Sequence, residues 1–290
     1  MTTPSTAAVV TGCSSGIGRA VALRLAAAGY PVYATARRVD TLADLADAGL
    51  PTLPLDVDDE ASMVAAVDRV VADHGAVGVL VNNAGFALQG TVEETSLDDV
   101  RRQFETNVFG LVRLTQLVLP GMRDQGFGRV VNIGSMGGRF TFPGGGFYHA
   151  SKHALEAVSD ALRLEVEAFG VRVSLVQPGP VRSAFADTAV RSIGEGDGPY
   201  AQFRRDLARR YSAAYERGAT TWAISPDEVA KVVVEAVHSR RPRPRYAVGV
   251  VARSLLAARR VAPDRVWDGL VRAQWPTPGG RQSRRRSSAA

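Results

Sequence analysis

Of the 290 residues only two are lysine, one is cysteine and four are histidine, against 33 arginines. The lone Cys13 excludes an internal disulfide framework and fits a reducing compartment. No basic stretch followed by a long apolar one opens the chain. Its first apolar run, AAVVTG, is short and ends among glycines, so no secretory leader is expected. No apolar run reaches the ~18 residues of a membrane span. These absences predict a soluble, cytoplasmic protein. No carboxylate or cysteine near His149 and His153 stands at a spacing that suggests a metal site, so none is expected.

What is present suffices for one sizeable core, since 46% of the residues are hydrophobic. The net charge of +6 belongs to one end. Residues 240–290 hold 13 Arg against Asp264 and Asp268, a local balance of +11, which leaves −5 for the rest. The basic character therefore describes a tail and says little about the body's ligand. RRPRPR (240–245) and RRR (284–286) could meet anionic lipid, nucleic acid or an acidic carrier protein, or could simply solvate the end of an Arg-rich chain. The second reading is preferred, and no nucleic acid partner is expected.

Short Val/Leu/Ile runs at 7–12, 31–37, 51–57, 78–85, 128–135 and 171–179, and a final one at 245–250, alternate with helical spacing at 18–30, 59–74, 97–124 and 148–169. Strands separated by helices imply right-handed crossovers and a parallel sheet covered on both faces. The expected fold is α/β, a doubly wound parallel sheet in a single domain, with a C-terminal helical and basic extension. The expected boundaries are 1–250 for the dinucleotide-binding and catalytic domain, interrupted by a substrate-loop insertion at about 183–225. Residues 251–275 read as a helical extension broken at Pro263, and 276–290, in the Pro/Gly/Ser/Arg run that begins at Trp275, as a disordered basic tail.

Two motifs carry chemistry. TGCSSGIG, from Thr11 to Gly18, lies between a predicted strand and a predicted helix. Gly12, Gly16 and Gly18 permit a tight turn, close approach of backbone to a pyrophosphate and close helix–strand contact, while the helix N-terminus offers free N–H groups to the anion. The motif alone could also be an ordinary strand–helix turn, and its glycine spacing departs from G-x-G-x-x-G. The second motif contains one of the two lysines. Tyr148 and Lys152, in FYHASKHA, stand i, i+4 on one helix face. A phenol is a poor acid or base near neutrality, with a pKa of ~10, and a neighbouring ammonium lowers that value. Such a pair can exchange a proton with an alcohol or ketone. Taken alone it could be a solvated surface pair. His149 and His153 read as packing or surface residues.

These motifs occur in order with LDV (Asp56, Val57), NNAG (Asn82–Gly85), Asn107 in ETNVFG, Ser135 in NIGS and PGPV from Pro178. In this order they resemble the short-chain dehydrogenase/reductase family over roughly residues 6–250. CSSGIG, VYATAR, GSMGG, GPVRSAF and SPDEVAKVVVEAV are most similar to its 17β-hydroxysteroid and retinol dehydrogenase branch. The resemblance implies a Rossmann-type fold and a nicotinamide-dependent oxidoreductase acting on a carbonyl or alcohol. It implies Tyr148 as general acid/base and Ser135 as a hydrogen-bond donor to the substrate oxygen. Lys152 would hold the nicotinamide ribose and shift the tyrosine, and Asn107 would position a water that resupplies the proton. Cofactor contacts would come from Gly12, Ser14, Ser15, Gly16, Ile17 and Gly18, from Asp56 and Val57, from Asn83, Ala84 and Gly85, and from Pro178, Gly179, Val181 and Ser183. Ser183 replaces the family's usual threonine. Asn107 could instead interrupt its helix, and Asp56 could cap the next one. Family members are commonly dimers or tetramers built on helices 97–124 and 148–169, so a homodimer or homotetramer is expected. The alternative is a catalytically inactive NADP(H)-binding sensor or scaffold interacting through its basic tail.

Cofactor choice can be read from the end of the second strand. An NAD site of this architecture places a carboxylate there for the adenosine ribose. Here Ala36 occupies that place, followed by Arg37 and Arg38. A guanidinium suits a 2′-phosphate that a carboxylate would repel. NADPH is therefore the expected cofactor, held mainly by Arg37 with Arg38 secondary. Phe86, Met136, Phe140, Phe142, Phe147, Phe185 and segment 186–222 are the expected walls for a bulky apolar substrate. Membrane contact through residues 251–275 is possible on this pattern and is not the preferred reading.

Overall fold

The computed structural model describes residues 3–215 and 222–278. Its strands are β1 (Ala8–Val10), β2 (Val32–Ala36), β3 (Thr52–Pro54), β4 (Val79–Asn82), β5 (Gly128–Ile133), β6 (Val171–Pro178) and β7 (Arg245–Val248). All are short, and the central ones are largely apolar because both their faces are covered, whereas the edge strands β3 and β7 are only partly buried. Among the described residues they form one parallel sheet in the order β3-β2-β1-β4-β5-β6-β7. The order reverses between β1 and β4. In such a sheet the crevice beyond the carboxyl ends of those strands is where a ligand sits.

Side chains alternate along each strand and so build two cores. Ala8 and Val10 pack with α1 (Gly16–Ala27) and the later α9 (Pro226–His238) on one face. Ala7 and Val9 pack with α3 (Glu60–His74), α5 (Gly110–Asp124) and α6 (Gly146–Val166) on the other. Helix α9, which the periodicity above does not include, starts at the SPDE segment. Ser225 and Glu228 form a reciprocal capping box, with Pro226 in the first turn. Arg24 of α1 pairs with Asp227 and ties these two helices together.

Three helical spans differ from the periodicity. The helix expected over 18–30 stops at Ala27, and Gly29 takes the left-handed conformation, φ 88°, before β2. The span 148–169 begins two residues earlier, at Gly146, and its last turn is a 3₁₀ segment, Glu167–Phe169. The long span 97–124 is divided. Helix α4 (Leu97–Phe104) passes into a π-helical turn, Glu105–Phe109, before α5. A π turn inserts one residue and rotates the helix beyond it, a device common at functional sites. At the junction Gly110 lies so close to the loop after β3 that a Cβ would come within 2.1 Å of the Val57 carbonyl oxygen.

Between β6 and β7 the chain adds α7 (Phe185–Arg191) and α8 (Ala201–Tyr215). After β7 come α10 (Val250–Val261) and α11 (Asp264–Gln274), separated by Pro263; the short α2 (Ala43–Asp47) follows β2. Ile193, Phe203, Leu207 and Tyr211 make a small separate core against which Trp275 lies. Arg245, inside the basic RRPRPR run, is engaged by Glu156 and Asp160 of α6 at 2.8 and 2.5 Å. That arginine therefore fastens β7 to the body. Segments 216–221 and 279–290, including the arginines at 284–286 and most of the expected tail, lie outside the described residues. No described helix is long and apolar enough to cross a membrane.

Candidate active site

The glycine-rich loop leaves β1 and enters α1 at the switch point. Gly12 and Gly16 have φ of 72° and 60°, which a side chain would strain. Ser15 is extended at the helix N-cap, so the first amides of α1 face the cleft. Thr11 fastens this loop to the end of β4: its hydroxyl accepts the Asn83 and Ala84 N–H groups, both at 2.9 Å. In return the Asn83 amide donates to the Thr11 and Gly12 carbonyls at 2.8 and 3.2 Å. Gly18 does not line the cleft. It is small for packing, since a Cβ there would stand 2.4 Å from the Gly12 carbonyl oxygen. Cys13 is buried below the loop, and burial pushes its thiol up to about 12, far from a reactive thiolate.

A continuous cleft of about 800 Å³ runs from this loop across the strand ends. Ser14, Ser15, Gly16 and Ile17 line its floor together with Gly12. Ala36, Arg37, Asp56 and Val57 line one end, and Asn83, Ala84 and Gly85 the middle. Arg37 is exposed at the rim. Arg38 does not line the cleft, and its carbonyl accepts the Thr41 hydroxyl at 2.6 Å. Of the two arginines expected at the cofactor, only Arg37 lines the cleft. Asp56 accepts the Asp58 N–H at 3.1 Å, while Asp59 is the residue that caps α3.

Near the centre, Tyr148 and Lys152 project from α6 into the cleft with Ser135, from the loop after β5. Lys152 is 7% exposed and its Nζ donates to the Ile133 carbonyl at 2.9 Å, 6.0 Å from the Tyr148 ring centroid. Burial alone pushes its ammonium down from 10.5 to about 8, which leaves it mainly cationic at neutral pH. Ser135 Oγ accepts the Gly137 N–H at 3.0 Å. That bond leaves the hydroxyl proton for another acceptor. Asn107 sits inside the π turn, fully buried behind the cleft wall. Its amide donates to the Phe86 carbonyl and to Ser151 Oγ at 3.0 and 3.1 Å, and its oxygen accepts the Phe86 N–H at 3.1 Å. Of the expectations for Asn107, the structure bears on the interruption of its helix. It interrupts the helix, and it is held beside α6. Pro178, Gly179, Val181 and Ser183 line the opposite wall. That wall is held by Ile224, whose N–H donates to the Pro180 carbonyl and whose carbonyl accepts the Arg182 N–H, at 2.9 and 3.0 Å.

The far end is apolar. Phe86, Met136, Phe142 and Phe185 line it as expected, whereas Phe140 and Phe147 do not. Phe140 is buried behind, its ring 5.1 Å from that of Trp267 in α11. Segment 186–222 contributes Thr188, Ala189, Arg210 and Tyr211. Sequence reasoning missed Gln89 and Trp275, which complete this wall. Tyr211 of α8 donates to Gln89 Oε1 at 2.9 Å, and Arg210 stands over the Trp275 ring at 4.8 Å. Trp275, the first residue of the Pro/Gly/Ser/Arg run, stacks on Phe142 with centroids 4.0 Å apart and planes 6° from parallel. Among the described residues no carboxylate lines this end; Asp56 and Asp58 belong to the other.

This geometry has relatives. The short chain dehydrogenase family model matches residues 6–193. The chain is 36% identical over 265 residues to the probable short-chain type dehydrogenase/reductase VdlC of Helicobacter pylori, covering 91% of this chain and 96% of that one. It is 38% identical over 258 residues to human 17-beta-hydroxysteroid dehydrogenase type 1, covering 83% and 76%. Similar solved structures include a short chain dehydrogenase/reductase from Burkholderia phymatum in complex with NAD, with TM-score 0.76, 28% identity and coverage of 94% and 97%. They also include the closed form of a serine dehydrogenase complexed with NADP+, with TM-score 0.74, 27% identity and coverage of 84% and 95%. Sheet order, glycine loop and likeness over nearly the whole length agree, and the chain belongs to the short-chain dehydrogenase/reductase family of oxidoreductases.

Proposed function

We propose that the protein is an NADPH-dependent oxidoreductase that interconverts a bulky apolar carbonyl compound and its alcohol, with Tyr148 as general acid/base. The observation that carries this is the meeting of Tyr148, Lys152 and Ser135 in the same cleft as the glycine cradle of Gly12 and Gly16. The cradle fits a dinucleotide. Its glycines allow close approach of backbone, and the amides of α1 face a pyrophosphate. Asp56 and Val57 would hold the adenine, Asn83 to Gly85 the adjoining ribose, and Pro178 to Ser183 the nicotinamide side. When bound, NADPH supplies the hydride. Ser135 donates a hydrogen bond to the carbonyl oxygen and stabilises the charge that develops there. Tyr148 gives that oxygen its proton. The Lys152 ammonium stabilises the phenolate that remains, and Asn107, held beside α6, orders a water for proton return.

Preference for NADPH is supported by Arg37 at the rim beside Ala36, where an NAD site would carry an acid. A bulky apolar substrate is supported by the aromatic far end and by the likeness to a 17-beta-hydroxysteroid dehydrogenase. A homodimer or homotetramer is supported by exposed Phe109, Leu164 and Phe169 on and beside α5 and α6. The test is reduction of a panel of ketones and aldehydes followed by NADPH absorbance. Tyr148→Phe should bind NADPH normally and lose about 10²–10⁴ in turnover. Undiminished reduction by that variant refutes the mechanism.

A further inference from the structure

His149 follows Tyr148 in α6 and is only 2% exposed. Its Nδ1 lies 2.9 Å from the Gly137 carbonyl oxygen. A carbonyl only accepts, so Nδ1 carries the proton and Nε2 keeps a lone pair. Nε2 is buried with no hydrogen-bond partner among the described residues. A second proton there would have no acceptor, and the ring is neutral. The imidazole fits between two glycines. A Cβ on Gly137 would stand 2.4 Å from Nδ1, and one on Gly145 would stand 2.7 Å from Nε2. The Phe142 ring meets it edge-on at 4.4 Å.

The residue that His149 grips is the one that sets Ser135: its carbonyl and its N–H lie in successive peptides of one turn. Gly137 gives its N–H to Ser135 Oγ at 3.0 Å and its carbonyl to His149 at 2.9 Å. The next residue, Gly138, lies against the Lys152 carbonyl, where a Cβ would come within 2.8 Å. Met136–Gly138 is a single 3₁₀ turn. Without the imidazole bond, this short turn loses the side-chain tie that joins its middle residue, Gly137, to α6.

We propose that His149 is a positioning residue. Through the two peptides that meet at Gly137 it fixes the Ser135 hydroxyl relative to Tyr148, so that both reach one carbonyl oxygen. This rests on the catalytic reading of Ser135 and Tyr148 given above. A displacement of about 1 Å between groups that act on one atom costs on the order of 10²-fold in rate.

The experiment compares three variants with the ketone that wild type reduces fastest. His149→Asn can place an amide N–H near the Nδ1 position. His149→Gln places it near Nε2, and His149→Leu has no donor. The expected kcat order is wild type, Asn, Gln, Leu, with Leu about 10²-fold slow. KM for ketone and NADPH should stay within about threefold, because the tie acts on the Ser135–Tyr148 geometry rather than on binding. A Leu variant that binds NADPH normally and keeps kcat within threefold overturns the proposal. If the Leu variant fails to bind NADPH, equal kcat for Asn and Gln overturns it. Normal turnover of Tyr148→Phe, or a wild type that reduces no carbonyl in the panel, refutes the underlying reading. A dead Tyr148→Phe beside a normal His149→Leu refutes this inference alone.

Discussion

Lys152→Met should make the ligand-free protein more stable while abolishing turnover. The ammonium is buried at the cleft wall and has one hydrogen-bonding partner among the described residues, the Ile133 carbonyl at 2.9 Å. Holding its pKa at about 8 instead of the ordinary 10.5 costs roughly 3 kcal/mol at neutral pH, at about 1.4 kcal/mol per tenfold change in proton affinity. Methionine fills a similar space with no charge. Its drawback is an unsatisfied Ile133 carbonyl, worth about 1–3 kcal/mol. The net expectation at pH 7 is a gain of about 1 kcal/mol. The pH dependence is more diagnostic. The folded pKa lies below the unfolded one, so between about 8 and 10.5 the unfolded chain holds the extra proton. Raising pH through that window removes the proton from the unfolded state and relieves the wild type's penalty. The variant's advantage should therefore shrink above pH 8 and reverse near 10.5, where only the lost hydrogen bond remains. Urea denaturation of both proteins at pH 7, 9 and 10.5 measures the difference directly. A difference that is constant across those values refutes the reasoning, as does a variant clearly weaker than wild type at pH 7.

Ala36→Asp combined with Arg37→Ala should move the kcat/KM preference from NADPH toward NADH, and a wild type equally efficient with NADH contradicts the reading of the β2 end. Trp275→Ala removes a stacked ring from the far wall. It should raise KM for bulky ketones several-fold and leave the NADPH Kd unchanged, and an unchanged KM would show that the ring does not touch substrate. Acid should destabilise the fold through His149, because burial pushes its imidazole down to about 4. Its neutral form is fully favourable above about 6.5, and about 3 kcal/mol is lost as pH falls from 6.5 to 4. His149→Asn should flatten that part of the stability–pH curve, and an unaltered slope assigns the acid sensitivity to other groups.

The strands and the cofactor loop were legible because their constraints are local. A two-sided buried strand needs an apolar run, and a left-handed turn needs glycine at Gly12 and Gly16. Tyr148 and Lys152 were legible because helical spacing puts them on one face. The π turn was not, since ETNVF has no composition that distinguishes it from α-helix. Its cause is tertiary, in the bonds of Asn107 to Phe86 and Ser151. Helix α8 did carry a signal. Phe203, Leu207 and Tyr211 recur every four residues, but the arginines around them obscured the stripe. Trp275 had none, standing in a run whose composition reads as irregular. Its place is set by Phe142, more than a hundred residues away in sequence. Arg38 marks the limit of reading a dipeptide at a strand end as one feature, because only Arg37 of the two lines the cleft.

The small core of Ile193, Phe203, Leu207 and Tyr211 shares no residue with the two cores that flank the sheet. Its strength is therefore set by a handful of side chains, whereas the body draws on dozens. Opening of that cluster breaks this small core and the bonds of Tyr200, Arg204 and Tyr211 to the segment after β4, so its free energy is expected to lie below that of global unfolding. Two tiers of stability are the expected consequence, with amides of α8 exchanging before those of β1 and β4. The far wall would then part and re-form while the glycine loop keeps its shape.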